Sequence, residues 1–529
     1  MFGAHPMFRI GGGQGYQITN SLRFRAANSA NLRRTFSATS TNFDVQTISF
    51  WFKRGRLTLT DSVVANCFMT QSGSGGNYPT FELGFEPSTD QIVFMNRSAA
   101  ASYNHRLVTN AQFRDPSAWY HLVIAYDSSQ STASDRIKMW INGVQVTSFA
   151  TATYPSLGLD SQFANNTYSQ PADIGSFNNS SRYFDGHLAN VYFIDGQALT
   201  PSSFGQTDAT TGVWVPKGYS GTYGTNGFFL EFKDAASTTT IGYDTSGNSN
   251  NFTTSGISVT SGVTFDQMTD TPTNNYCTLS PIYTDGAGAI SGANLNFNGL
   301  GSNYNISSTI GVSSGKWYWE YTGAAGQLVG IFLQGGLISS TTGALSYFSD
   351  GNKYTGSTPA AYGASWTGSD VIGFALDLDA GTLTFYKNNV SQGTAFSSLS
   401  GTYFPWVRTS TSATGSLNFG QRAFAYTPPS GFKALSTANI TSTAVSTSGS
   451  FTGNAAADGP FVWANGNPAT LLINGNAVTF GTDADKTAGG FKLRTSSASY
   501  NASGSNTWTA TAGKRFVQSR KPNNAQVNP

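Results

Sequence analysis

Residues 119–146 constrain this chain more than any other stretch. They read Trp119-Tyr120-His121-Leu122-Val123-Ile124-Ala125-Tyr126-Asp127, a polar loop, then Arg136-Ile137-Lys138-Met139-Trp140-Ile141-Asn142-Gly143-Val144-Gln145-Val146. Both arms are rich in β-branched and aromatic residues and too short for helices, and Asn-Gly takes the positive φ angles of a tight hairpin. The spacing predicts adjacent antiparallel strands. The same plan returns at 371–379 with 382–390, and in miniature at 471–478. Three similar hairpins without a fixed period imply three β-modules in series and no repeat array.

Composition agrees with this reading. At 529 residues the chain exceeds one core, and its 59 Gly, abundant Ser, Thr and Asn and 11% charged residues favour strands and turns over helices. The only Glu are Glu82, Glu86, Glu231 and Glu320. The expected fold class is all-β, in tandem antiparallel sandwiches. A net charge of +2 over this length leaves no footprint for nucleic acid or anionic lipid, and the cluster Lys514, Arg515, Arg520 and Lys521 reads as a solvated tail. Cys67 and Cys277 fall in different modules, so no disulfide framework is expected and synthesis in a cytosol fits. The N-terminus lacks the pattern of a secretory signal and no apolar run is long enough to cross a bilayer, so no membrane insertion is expected.

Residues 1–17 are Gly-rich and polar and read as an arm that docks on a neighbouring subunit. Val45-Gln46-Thr47-Ile48-Ser49-Phe50-Trp51-Phe52-Lys53 then reads as a strand with one buried face, and 91–95 as another. The motifs Phe50-Trp51-Phe52, Trp119-Tyr120-His121, Trp140-Ile141-Asn142-Gly143 and Phe184-Asp185-Gly186-His187-Leu188-Ala189-Asn190-Val191-Tyr192, in that order, resemble the laminin-G-like, concanavalin-A-like jelly-roll family. The resemblance covers residues 18–205. It implies a two-sheet sandwich and carbohydrate or protein binding at its rim.

Residues 206–276 read as a connector. Asp244, Ser246, Asn248 and Asn250 alternate as calcium ligands do, but Ser249 and Ser255 stand where an EF-hand loop needs Gly and Glu, so the stretch reads as Asx turns. Together with Asp270-Thr271-Pro272-Thr273-Asn274-Asn275-Tyr276-Cys277 it resembles a connector of tailed-phage fibre and appendage proteins. In residues 277–425, Gly315-Lys316-Trp317-Tyr318-Trp319-Glu320-Tyr321, Val329-Gly330-Ile331-Phe332 and the 371–390 hairpin resemble the SPRY (B30.2) family, a sandwich whose loops bind partners. Alternating aromatics make Trp317 and Trp319 core residues, as Trp140 is in the first module. A Ser/Thr-rich linker at 426–449 leads to a small β-module at 450–529. There Asp458-Gly459-Pro460-Phe461-Val462-Trp463 and Gly489-Gly490-Phe491-Lys492-Leu493-Arg494 resemble a C-terminal module of phage appendage proteins.

No motif supplies a reaction. A glycosidase needs two carboxylates flanking the bond, and Glu82-Leu83-Gly84-Phe85-Glu86, which puts two on one strand face, reads as a charged face in water. None of His5, His105, His121 and His187 sits in a nucleophile motif, and His121 and His187 read as satisfied structural residues. The expectation is therefore a non-enzyme with no catalytic residue, metal or cofactor. The phage-appendage resemblances imply a phage virion protein made in the host cytoplasm, and the expectation is a tail fibre held to other virion proteins by its N-terminal arm and bound to a host-surface glycan or protein. By analogy with tail fibres a homo-oligomer, a trimer, is expected. The alternatives are a purely structural virion part and a glycosidase on a concanavalin-A-like fold. Candidate receptor contacts are the loop residues Asn178, Asn179, Arg182 and Tyr183, with Tyr354, Tyr362 and Trp366 of the second sandwich.

Overall fold

A computed structural model describes residues 15–440, apart from 58–63, 74–77, 168–169, 210, 287–288, 301–302, 337 and 410–412, and the backbone of several strands after 448. The described residues up to 440 form one compact unit, and the strands after 441 belong to a second. Residues 1–14 of the arm and the motifs at 458–460 and 489–494 lie outside the described residues.

The first sandwich pairs two eight-stranded antiparallel sheets. One runs Val144–Gln145, Ile137–Ile141, Trp119–Asp127, Val45–Arg54, Gly186–Asp195, Ser21–Phe24 and Gln267–Met268, with Phe228–Leu230 also paired to Gly186–Asp195. The other runs Phe149–Thr153, Ser102–Gln112, Gln91–Ala99, Thr80–Phe85, Ala65–Ser72, Ala172–Ile174, Asn31–Arg34 and Thr253–Ser255. The 119–146 hairpin forms as the spacing predicts, and Asn142 (φ 48°) and Gly143 (φ 79°) make the turn at its end. Between the sheets lies an aromatic core that includes Phe50, Phe52, Phe68, Phe85 and Phe184, with ring centroids 4.9–6.2 Å apart along the chain of contacts.

Two expectations change here. The stretch 206–276 is no free connector: Phe228–Leu230, Thr253–Ser255 and Gln267–Met268 extend both sheets of the sandwich. Its aromatics also cover the outside of the first sheet, where Phe229, Tyr219 and Tyr223 join Phe204 in packing with Trp140, Tyr192 and Val123. As a result Gln46 to Arg54 are buried on both faces of the strand, instead of on one. Alternation marks which residues share a face; it does not say whether a later segment will cover the other.

The second sandwich has a seven-stranded sheet, Leu279–Thr284, Asn305–Ser308, Tyr403–Arg408, Leu328–Leu333, Ala344–Phe348, Asn352–Thr355 and Thr358–Ala361. It faces an eight-stranded sheet made of Ile290–Ser291, Asn296–Asn298, Thr414–Asn418, Lys316–Gly323, Val371–Asp377, Thr382–Lys387 and Val390–Phe396, with Lys433–Ala434 added in parallel. Trp317 and Trp319 are buried in its core, as their alternation predicts. Gly330 is required where two strands nearly touch, because a Cβ there would stand 2.0 Å from the Leu345 carbonyl oxygen. After residue 448, Ser448–Thr452, Ser505–Ala510, Leu471–Ile473 and Asn476–Ala477 form one small sheet, and Phe461–Asn465 pairs with Arg515–Ser519.

Buried charge joins the sandwiches. Asp185, fully buried, accepts backbone N–H groups from Ala26 of the first sandwich and from Gly292 and Ala293 of the second. Lys53 Nζ donates to Asp270 Oδ2, Asn275 Oδ1 and the Tyr276 carbonyl, and Trp119 Nε1 donates to the other Asp270 oxygen at 2.9 Å. Thr269 N–H reaches the Gln421 carbonyl at 2.9 Å.

Candidate functional site

The strongest catalytic suggestion in the fold is a serine beside a histidine. Ser49 Oγ lies 2.9 Å from His121 Nε2, and the half-buried Trp214 donates its Nε1–H to His121 Nδ1 at 2.9 Å. An indole nitrogen is only a donor, so Nδ1 must be the lone-pair nitrogen and Nε2 must carry the proton. Nε2 therefore donates to Ser49 and cannot take its proton, the reverse of what nucleophile activation requires. Burial also pushes the imidazole down to about 3, and the ring is stacked on Trp51 at 4.6 Å. His121 is a satisfied structural residue. His187 is buried too, but its Nε2 has no partner, so the expectation of full satisfaction does not hold there.

Glu82 is the second suggestion, and the expectation of a charged face in water fails for it. Its side chain is fully buried. Oε1 accepts from Arg97 Nε at 2.6 Å and from Thr80 Oγ1 at 2.8 Å, and Oε2 from Arg182 at 2.6 Å. Glu86 is partly exposed and takes Arg106 at 2.7 Å. Each carboxylate thus organises arginines, which is how a buried charge is tolerated.

These pairs build the outer face of the second sheet in the first sandwich. Strand register sets Thr80, Arg97 and Tyr103 in one row and Glu82, Met95 and Arg106 in the next. Arg97 lies over the Tyr78 ring at 5.1 Å and Arg106 over Tyr103 at 5.5 Å, with both tyrosines more than a third exposed. Arg182, drawn in by Glu82, covers the Phe177 ring at 4.1 Å and holds the 177–183 loop against this face.

The loop residues singled out from sequence divide accordingly. Asn178, Asn179 and Arg182 all have positive φ (51°, 50° and 54°), a conformation asparagine tolerates better than most residues. Asn178 Oδ1 accepts from Ser72 and Asn179 Oδ1 from Asn31, each at 2.6 Å. Asn179, Ser180 and Ser181 form the exposed tip, while Asn178, Arg182 and Tyr183 are half-buried. Tyr78, Arg97, Tyr103 and Arg106 join the same surface and were not legible, because only strand register and the Arg97–Tyr78 contact bring them together. The alternation Val93, Met95, Arg97 was the one available sign.

Beneath the loop lies Asp173, whose carboxylate has Arg33 Nε at 3.2 Å and the Asn178 backbone N–H as neighbours. Burial pushes it up to about 7. A carboxylate raised in the folded state binds its proton more tightly there, so its contribution to stability is full below the unfolded value near 4 and falls as pH rises toward 7. Asp173→Asn is therefore expected to stabilise the protein by about 1–3 kcal/mol at pH 8 and hardly at all at pH 4. Urea denaturation at the two pH values measures the difference.

In the second sandwich the three aromatic candidates separate. Trp366 is 2% exposed and packs edge-on to Tyr321 at 5.6 Å, so it is a core residue and no receptor contact. Tyr362 is half-buried, its hydroxyl donating to the Gly393 carbonyl and accepting the Phe385 N–H. Tyr354 is half-buried and, contrary to its reading as a loop residue, lies within a strand, in the edge hairpin of Asn352–Thr355 and Thr358–Ala361, whose second strand is exposed throughout. Loop position alone did not distinguish a ring facing solvent from one closing the core.

Fold and surface together define a tandem sandwich protein with ion-paired, aromatic-bearing outer faces. Residues 26–205 match the concanavalin A-like lectin/glucanases superfamily and residues 308–422 the SPRY domain, so the chain carries one domain of each family. It is 37% identical over 97 residues to an E3 ubiquitin-protein ligase, RKP, of Arabidopsis thaliana, a match covering 17% of this chain and 8% of that protein. Among solved structures it is similar to the SPRY domain of human HERC1, at 23% identity over 24% of this chain and 91% of that one (TM-score 0.22). It is also similar to the TRIM65 PSpry domain, at 18% identity over 22% of this chain and 70% of that one (TM-score 0.19).

Proposed function

We propose that this chain is a non-enzymatic virion appendage protein of a tailed phage, a tail fibre whose sandwiches bind a host-surface glycan or protein. The observation that carries the binding half of this reading is the face formed by Tyr78, Arg97 and Tyr103 beside the 179–181 tip. Half-exposed rings offer flat apolar surface to a sugar or side chain, and the neighbouring amides, hydroxyls and guanidinium groups offer hydrogen bonds that orient it. The occupied oxygens of Glu82 and the unfavourable tautomer of His121 support a role without catalysis. The phage setting rests on the resemblances of the 206–276 and C-terminal stretches. In this reading the N-terminal arm attaches to other virion proteins, and copies act together as a homo-oligomer, where linked sites gain about 10²–10⁴ in avidity.

The test is competition. Soluble full-length chain is expected to bind susceptible cells and reduce infection, and Tyr78→Ala with Tyr103→Ala, both at exposed positions, is expected to lose at least tenfold in cell binding with unchanged melting. A chain that binds no cell and is imaged between other virion proteins would be a structural part instead.

A further inference from the structure

Lys53, Asn275 and Asp270 meet at one water-excluded point between the two sandwiches. Lys53 is 1% exposed, Asp270 0% and Asn275 8%. Lys53 Nζ stands 2.7 Å from Asn275 Oδ1 and 2.8 Å from Asp270 Oδ2. Asn275 Nδ2 donates to the Ser117 carbonyl at 2.6 Å, which fixes the amide plane and turns its nitrogen away from the lysine. Trp119 Nε1 and the Tyr276 N–H hold the other Asp270 oxygen, so the carboxyl group presents Oδ2 to the amine.

An ion pair alone would need only Lys53 and Asp270. The third group is a carboxamide, the one neutral side chain that an amine can acylate itself upon with loss of ammonia. We propose that Lys53 and Asn275 become joined by an intramolecular isopeptide bond, with Asp270 carrying the protons. Asp270 takes a proton from the Lys53 ammonium, leaving a neutral amine and a carboxylic acid, forms that lie closer in energy to the ion pair in a dry site than in water. The amine lone pair attacks Asn275 Cγ, and a C–N bond forms as the carbonyl π pair moves to oxygen. That pair returns as the Cγ–Nδ2 bond breaks: the Asp270 acid gives its proton to Nδ2, which leaves as ammonia, and the carboxylate so formed takes the surplus proton of the attacking nitrogen. One amide and one amine become a secondary amide and ammonia, with no oxidant or energy source needed. Fixed proximity supplies the rate: well-oriented intramolecular groups reach effective molarities of about 10⁵–10⁸ M. Exclusion of water, which the burial of all three groups provides, protects the product from hydrolysis.

The bond would tie the end of Val45–Arg54, a central strand of the first sandwich, to the segment that enters the second. Pulling the sandwiches apart would then load a covalent bond as well as buried hydrogen bonds. The inference is independent of the binding reading above. It is tested on purified full-length protein under denaturing conditions. The intact mass is expected to be one ammonia below the mass of the sequence, and a digest is expected to yield a branched peptide joining Lys53 to Asn275. Lys53→Arg, which keeps the cation without a usable nucleophile, is expected to restore the full mass, and Asp270→Asn to block bond formation in protein that still folds by circular dichroism. A wild-type chain of full mass, or an ammonia loss that maps to a linear peptide, would overturn the proposal. A bond that forms undiminished in Asp270→Asn would overturn the role of Asp270.

Discussion

Replacing Asp266 by Ala is expected to destabilise the unit that holds both sandwiches by about 3–5 kcal/mol, a large part of the roughly 5–15 kcal/mol that holds a typical domain folded. Asp266 is fully buried and accepts from Arg23 Nε at 2.9 Å, from Arg25 Nε and Nη2 at 2.8 Å each, and from the Ser258 N–H at 2.8 Å. Arg23 is itself fully buried, and burial holds its guanidinium below the usual arginine range against the opposing pull of Asp266. A third guanidinium, Arg422 of the second sandwich, is pushed down to about 9 by burial, with Arg23 adding to the push and Asp266 among the charges opposing it. Deleting this carboxylate leaves two guanidinium groups without a counter-ion in a place that water does not reach. Asp266→Asn keeps the size and loses the charge, so it is expected to be nearly as damaging. Equilibrium urea denaturation of the full chain reads both, and a change below about 1 kcal/mol would mean the arginines find other partners or water.

The contrast with Arg114 gives the scale. Arg114 pairs with Asp90 at 2.9 Å, but its side chain is half exposed and can turn to solvent, so its loss belongs with the surface pairs worth about 0–1 kcal/mol. Sequence gave no way to tell these arginines apart. Asp266 lies some 240 residues from Arg23 and Arg25 along the chain, in a stretch whose Gly, Ser and Thr content reads as linker. What was legible was local. The hairpin at 119–146, the Asn-Gly turn and the alternation around Trp317 all follow from neighbouring residues, and all are present as read. What was not legible depends on closure at long range: that 206–276 would add strands to both sheets, that Glu82 would be buried between Arg97 and Arg182, and that Trp366 would turn inward.

The same division runs through the candidate surface. Asn178, Asn179 and Arg182 were recognisable as turn formers, since Asn tolerates positive φ and the stretch has few apolar residues. Their roles were not, because Arg182 is committed to Glu82 a hundred residues away, while Tyr78 and Tyr103 both meet Arg97, one beneath its guanidinium and the other through strand register. A strand that carries Arg97 and Met95 on one face gives no sign by itself that a tyrosine from the next hairpin will stand beside it.

Trp319→Ala is the second large effect expected, at about 3–5 kcal/mol. Trp319 is fully buried in Lys316–Gly323, a strand flanked by Val371–Asp377 and Thr414–Asn418, and its ring stacks on Phe374 at 4.9 Å and 14°. Phe374 packs edge-on to Phe385 at 5.3 Å, and Phe385 lies 5.2 Å from Tyr347 of the opposite sheet, so the ring begins a row of aromatics that crosses the sandwich. Neighbours held in two hydrogen-bonded sheets cannot collapse far into the space left by an indole, and the unfilled cavity adds its cost to the lost transfer energy. Trp140→Ala removes the same side chain from a different setting. It is 8% exposed and packs on the outer layer that includes Phe204 and Phe229, outside the space between the two sheets, so the smaller loss is expected there. Urea denaturation of the two full-length variants orders them. Equal losses would mean that the outer layer is as rigid as the core, and a larger loss for Trp140 would reverse the argument.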